Sequence, residues 1–200
     1  MINDCIALIM AGGESRRMGR DKATLVLGEH NLLQHVIAVV QPIFAQVLVS
    51  VRERRPDILL PQICDAHVNT GPLAGLCAGL ERAAQNDIPW VFAIATDMPF
   101  IQPALIEQLA RRRVGVQAVV PVVNGHPQPL AAFYALSAWP EIHTILSGSG
   151  KHSLRALLER LNVCTVDESE LRAADPGLRS FFDLDTPQDL TAASGNQESV

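Results

Sequence analysis

The chain has 200 residues, 48% hydrophobic and 4% aromatic, with a formal net charge of −5. That length suits one domain, with at most a small appendage, and a core that is mostly aliphatic. The acidic balance argues against bulk nucleic-acid binding, no apolar run approaches the ~20 residues of a membrane span, and the Met-Ile-Asn-Asp start lacks the basic stretch of a secretory signal; the expectation is a cytoplasmic protein.

Residues 5–10 (CIALIM) read as a buried strand feeding a tight turn at Ala11-Gly12-Gly13. Asn31 is placed to cap a helix over 32–44, with Leu33, Val36, Ile37 and Val40 on one face. Strands follow at 47–51 and 62–64. Pro72 suits the first turn of a helix running to about residue 86, with Leu73, Leu76, Cys77 and Leu80 as its apolar stripe. The clearest buried strand, 90–95 (WVFAIA), ends at Thr96-Asp97-Met98-Pro99. Pro103 opens a helix through residue 113, with Arg111, Arg112 and Arg113 as a solvated end. A strand at 118–123 and a turn at Asn124-Gly125 come next. Beyond them the pattern weakens to a strand at 130–134, a helix at 153–161, a strand at 163–166 and a last helix near Pro187.

This alternation predicts an α/β fold: a single-domain, three-layer, doubly wound, mostly parallel sheet over residues 1–193, followed by a polar tail at 194–200. Ligands of such sheets bind beyond the carboxyl ends of the strands. Cys5, Cys64, Cys77 and Cys164 show no CxxC or other zinc-ligand spacing, so reduced, buried thiols are expected.

The segment after the first strand carries the strongest chemical signal. Gly12 and Gly13 let the backbone turn sharply, and exposed N–H groups in such a turn form an anion nest. Ser15 adds a hydroxyl donor, and Arg16, Arg17, Arg20 and Lys22 outnumber Glu14 and Asp21. Neither the dinucleotide GxGxxG nor the P-loop GxxxxGK[ST] pattern is present. Asp97 is either a turn residue before Pro99 or a ligand for a cation at a strand end; Asp185, before Thr186-Pro187, reads as a helix cap.

Residues 10–22 resemble the signature L-A-G-G-x-S-x-R-M-G-x-D-K of the molybdenum cofactor guanylyltransferase (MobA-like) family, with Met10 in place of the leucine. The resemblance implies a Rossmann-like nucleotidyltransferase fold and a Mg²⁺-dependent transfer of GMP from GTP to molybdopterin. It implies that Met10, Ala11, Gly12, Gly13 and Ser15 wrap the nucleotide while Arg17 and Lys22 stabilise its phosphates. Thr96-Asp97-Met98-Pro99-Phe100 resembles the family's metal-binding turn, which implies that Asp97 is a magnesium and nucleotide ligand; Asp183-Leu184-Asp185-Thr186-Pro187 resembles the family's N-x-N-T-P segment, with aspartate in place of asparagine, which implies that Asp185 is a second metal ligand as well as a helix cap. Asp65, before Gly71-Pro72-Leu73-Ala74-Gly75, becomes a base or ribose contact, with residues 71–75 letting backbone approach the ligand. Ser50 stands near the family's asparagine in the second strand, a departure that leaves it without a role.

A glycine at position 12, where related cytidylyltransferases carry alanine, points to guanine. On the acceptor side, Gln128 and Lys151 fall in segments that resemble the family's pterin and acceptor-phosphate contacts, although each also reads as a surface polar group. The implied partners are GTP and molybdopterin, with cofactor-insertion and acceptor proteins beyond them, and neither nucleic acid nor membrane. The competing readings are a cytidylyltransferase for the same pterin, a sugar-phosphate nucleotidyltransferase, and a non-catalytic nucleotide-binding regulator.

Overall fold

The computed structural model describes residues 1–12, 22–64, 71–182 and 184, with the backbone alone at Lys22. Strand β1 (Ile2–Met10) sets the architecture. Cys5, Ala7 and Ile9 enter one core and Ile6 and Leu8 the other, so successive side chains are buried on opposite faces. A strand apolar on both faces needs helices on both.

The remaining strands are β2 (Val26–Leu27), β3 (His30–Asn31), β4 (Phe44–Val51), β5 (Gln62–Cys64), β6 (Trp90–Ala95), β7 (Ala118–Val123), β8 (His126–Pro127), β9 (Ala131–Ala135) and β10 (Val163–Val166). Among the described residues they form an eight-stranded sheet in the order β10-β7-β9-β6-β1-β4-β5, with β8 on β7, and a separate β2-β3 ribbon. Within the eight-stranded sheet the ladders are parallel except where β8 and β9 pair with their neighbours, and the β2-β3 ribbon is antiparallel. Helices α1 (Leu32–Val40), α3 (Pro103–Ala110) and α6 (Glu168–Leu171) cover one face. Helices α2 (Pro72–Gln85), α4 (Trp139–Ser147) and α5 (Leu154–Leu158) cover the other. The expected three-layer, doubly wound, mostly parallel sheet is the observed fold.

Local chemistry explains the boundaries. Asn31 caps α1 through a reciprocal box in which its side chain accepts from Gln34 N–H and the Gln34 side chain accepts from Asn31 N–H. The helix stops at Val40 rather than running to residue 44, because Pro42 has no N–H to continue the ladder. Phe44 instead opens β4, where its ring stacks on Phe92 at 5.5 Å and lies 6.3 Å from Phe133. Helix α3 likewise ends early, at Ala110. Arg113 is therefore not a solvated helix end: it folds back to within 3.1 Å of Asp4 and over the rings of Trp90 and Phe133. Arg112 pairs with Glu170, and Arg111 alone of the three keeps a largely exposed side chain.

Two glycines of α2 set its distance from the sheet. A Cβ at Gly79 would stand 2.5 Å from Leu8, and one at Gly75 would stand 2.5 Å from Met10 Cε and 2.6 Å from Ser50 Oγ. Gly75 thus serves helix–sheet packing, which corrects the expectation that residues 71–75 as a group open the backbone to ligand. Gly71 is different: its φ of 63° and ψ of −151° belong to a region that essentially only glycine occupies. The thiols are all reduced, but only Cys5 and Cys77 are buried; Cys164 is half-buried and Cys64 is exposed. Both exceptions lie on edge strands, where one neighbour of the ladder is missing. Burial pushes the Cys5 thiol pKa up.

No helix of the described residues is long and apolar enough to cross a membrane. The helix expected near Pro187 and the tail at 194–200 lie outside the described residues.

Candidate active site

Met10, the last residue of β1, pairs with Ser50 of β4 on one side and Ala95 of β6 on the other. Because the three strands are parallel, the segments that follow them emerge on one edge. Ala11 N–H donates to the Ser50 carbonyl at 2.9 Å, and the Thr96 hydroxyl to the Met10 carbonyl at 3.5 Å, so the exits of all three strands are tied together. Lys22 begins a short 3-10 turn over Lys22–Thr24, and the next residue, Ala23, is buried in the same core as Ala11, Ala95 and Met98. The residues at the two ends of the glycine-rich segment, Ala11 and Ala23, are thus both buried in one core. Gly13, Ser15 and Arg17 lie outside the described residues.

Asp97 is half-buried two residues beyond β6. Its carbonyl accepts from Leu184 N–H at 3.3 Å, and Leu184 is fully buried beside Leu27 and Leu32. The carboxyl-terminal chain thus returns to the Asp97 turn. Asp185, the covalent neighbour of Leu184, lies outside the described residues, as does Asp65, which follows β5 at the same sheet edge. Asp97 offers hard carboxylate oxygen. Magnesium asks for one or two such groups, with phosphate and water oxygens completing its octahedron, so the donor chemistry fits.

Beside this turn opens a cavity of about 520 Å³, lined by Phe100, Asn124, Glu168, Arg172, Arg179 and Phe182 among others. Asn124 and Gly125 both have positive φ (50° and 73°), as the tight β7–β8 hairpin requires. Asn124 N–H, then Arg172, hold the Glu168 carboxyl below its usual range, so it remains an anion paired with Arg172. The guanidinium of Arg179 lies over the Phe100 ring at 5.4 Å, and Phe182 packs 6.3 Å from Phe100. Two guanidinium groups against one carboxylate leave the cavity with a surplus positive charge. The wall is fixed from behind: Ser180 N–H donates to buried Asp175 at 2.7 Å, and Gln102 N–H donates to the Ser180 hydroxyl at 3.0 Å.

Gln128 sits at the same edge, with its N–H on the Pro121 carbonyl and, two residues on, the Leu130 carbonyl accepting from Ala95 N–H at 3.0 Å. Lys151 is exposed in the turn between α4 and α5, on the opposite face of the sheet from the cavity. Neither lines the cavity. Phe100, Arg172 and Arg179 were not singled out from the sequence. The last two fall where helices are too short to show a period, and only the return of the chain to Asp97 makes their position meaningful.

A doubly wound sheet with a glycine-rich segment after its first strand, and a carboxylate turn after a neighbouring parallel strand, is an α/β architecture that binds its ligand beyond the carboxyl ends of the strands. The chain belongs to the family of proteins with a MobA-like NTP transferase domain, whose model matches residues 7–165. It is an enzyme, a nucleotidyltransferase. A Chloroflexus aggregans protein named a probable molybdenum cofactor guanylyltransferase is 35% identical over 191 residues, covering 92% of this chain and 90% of its own. The crystal structure of molybdopterin-guanine dinucleotide biosynthesis protein A from Archaeoglobus fulgidus is 29% identical, with a TM-score of 0.83 over 98% of this chain and 100% of that one. The fold is also that of 2-C-methyl-D-erythritol 4-phosphate cytidylyltransferase from Thermus thermophilus, at 21% identity and a TM-score of 0.65 over 96% and 98% of the two chains.

Proposed function

We propose that this enzyme transfers GMP from GTP to the terminal phosphate of molybdopterin, with Mg²⁺ as its metal. The observation that carries this reading is the convergence at one sheet edge of the start of the glycine-rich segment at Ala11, the Asp97 turn and a cationic, aromatic cavity. The names of the relatives supply the acceptor and the base.

An oxygen of the acceptor phosphate attacks the α-phosphorus of GTP. The new P–O bond forms as the bond from the α-phosphorus to the α,β-bridging oxygen breaks, and pyrophosphate leaves. The attacking oxygen is already ionised at neutral pH, so no general base is required. What the protein supplies is position and charge. The loop amides, Ser15, Arg17 and Lys22 hold the phosphates, Asp97 and Asp185 hold the metal, and Asp65 accepts hydrogen bonds from the base. Bound Mg²⁺ supplies a Lewis acid that neutralises phosphate charge. GTP as substrate implies the cytoplasm as the compartment.

The acceptor fits the cavity by its chemistry. A flat heterocycle matches the faces of Phe100 and Phe182, and a phosphate matches Arg179. Gln128 serves at the rim between this cavity and β6, whereas Lys151, on the opposite face of the sheet, has no part in this acceptor site. Arg179→Ala is expected to lower kcat/KM for the acceptor by about 10–100-fold, the worth of a lost charge-assisted hydrogen bond of roughly 1.5–3 kcal/mol, while the Kd for GTP stays unchanged. Steady-state kinetics with each substrate varied in turn, alongside GTP binding by calorimetry, separates the two. An equal loss for both substrates argues against the assignment.

The preference for guanine rests on Gly12. A Cβ there would meet Arg52 Cγ at 3.5 Å and Arg52 N at 3.6 Å, ordinary contacts, and the residue is not left-handed. The protein itself therefore accepts alanine, and the need for glycine lies on the ligand side. Gly12→Ala is expected to leave the urea midpoint unchanged and to narrow the GTP-over-CTP ratio of kcat/KM. The size is about 10-fold or more, since one methyl group is worth roughly 1–3 kcal/mol. An unchanged ratio removes Gly12 from base selection.

A further inference from the structure

The α2 face, opposite the cavity, carries a second set of chemically matched side chains. Cys77 and Glu81 are one turn apart on α2, and Trp139 and His143 are one turn apart on α4. Where the helices pack, Cys77 Sγ lies 3.7 Å from Glu81 Oε1 and 4.0 Å from His143 Nε2, and His143 Nε2 lies 3.7 Å from Glu81 Oε1. A tetrahedral Zn²⁺ with bonds of about 2.3 Å to sulfur and about 2.1 Å to nitrogen and oxygen spaces its donors about 3.4–3.6 Å apart. The observed triangle needs to contract by only a few tenths of an ångström at each edge.

We propose that Cys77, Glu81 and His143 form a Zn²⁺ site that ties α2 to α4. One thiol, one imidazole and one carboxylate are a borderline-soft donor set, suited to zinc rather than magnesium. Cys77 is buried, while the side chains of Glu81 and His143 are 44% and 46% exposed, so the fourth position faces solvent and takes water or an external ligand. The surroundings fit as well. The indole Nε1 of Trp139 is buried without a hydrogen-bond partner among the described residues, and Trp139 lies where its N–H favours the Cys77 thiolate. Its ring meets that of His143 edge-on at 4.7 Å and holds the imidazole in place. The site does not depend on the proposed reaction, and its ligands come from two helices 66 positions apart, out of reach of any local spacing pattern.

Cobalt(II), a spectroscopic stand-in for zinc, tests the site on the intact protein. Expected are one Co²⁺ per chain, a sulfur-to-cobalt charge-transfer band, four-coordinate visible bands, and displacement of all of them by Zn²⁺. His143→Ala and Glu81→Gln alter partly exposed side chains and are expected to fold normally by circular dichroism. Each is expected to weaken Co²⁺ binding by more than about 100-fold, since even outer-shell partners of metal sites are worth roughly 10–100-fold. Cys77→Ser removes the charge-transfer band, whereas Cys64→Ser, at the exposed thiol, retains it. A wild-type protein without the band, a band lost with Cys64→Ser, or equal affinity in His143→Ala overturns the proposal.

Discussion

Asp97→Asn is expected to lower kcat/KM for pyrophosphate release by about 10³-fold, the equivalent of roughly 4 kcal/mol of transition-state stabilisation. The substitution keeps the size of the side chain and removes its charge. Met98 N–H still reaches the Ala95 carbonyl at 3.4 Å and Leu184 N–H still reaches the carbonyl of residue 97, so the turn is held by main-chain bonds that asparagine preserves. Unchanged circular dichroism is the accompanying check that the loss is one of metal binding and not of folding. Raising the Mg²⁺ concentration is expected to recover part of it, because a weakened ligand set still binds at higher metal. Full activity of a correctly folded Asp97→Asn protein excludes Asp97 as the metal ligand.

Lys22→Ala comes next in size, with an expected fall of about 10²–10³-fold in kcat, the range found when one preorganised group facing developing charge is removed. The backbone at Lys22 is set by Ala23, which is buried 1% exposed in the core that also holds Ala11. If Lys22 acts on the transferring phosphate, kcat falls more than the Kd for GTP rises, and Lys22→Arg restores part of the rate because it restores the charge. A change confined to the Kd assigns Lys22 to ground-state binding instead. Single-turnover kinetics with saturating GTP distinguishes these outcomes.

The sheet was legible because its strands are buried on both faces. Runs such as 5–10 and 90–95 have no polar residue to blur them, and β5, β6, β7 and β10 have the bounds their apolar runs suggest. Helices were legible where a cap or proline marked the start, as at Asn31, Pro72 and Pro103, and less so at their ends. Helix α4 was missed although Pro140 stands in its first turn, because only a three-residue 3-10 turn separates it from β9 and no cap side chain marks its start. Helix α6, at four residues, is too short for any period to show.

The site divides along similar lines. Most of its proposed nucleotide contacts fall in one contiguous segment, residues 10–22, which could be read as a motif. Its cavity is assembled from the turn after β6, the β7–β8 hairpin and the stretch around Arg172 and Arg179, which only the parallel register of β7 and β10 brings together. The environment of Arg113 was unreadable for the same reason: Asp4, Trp90 and Phe133 come from three different strands.

Guanylyl transfer to the pterin is tested most directly by incubating the enzyme with Mg²⁺ and molybdopterin, supplying GTP, CTP or ATP in separate reactions, and following pyrophosphate. Release that requires the pterin and favours GTP is the expected result. Preferential turnover of CTP, or GTP bound without pyrophosphate release when the pterin is present, would contradict it.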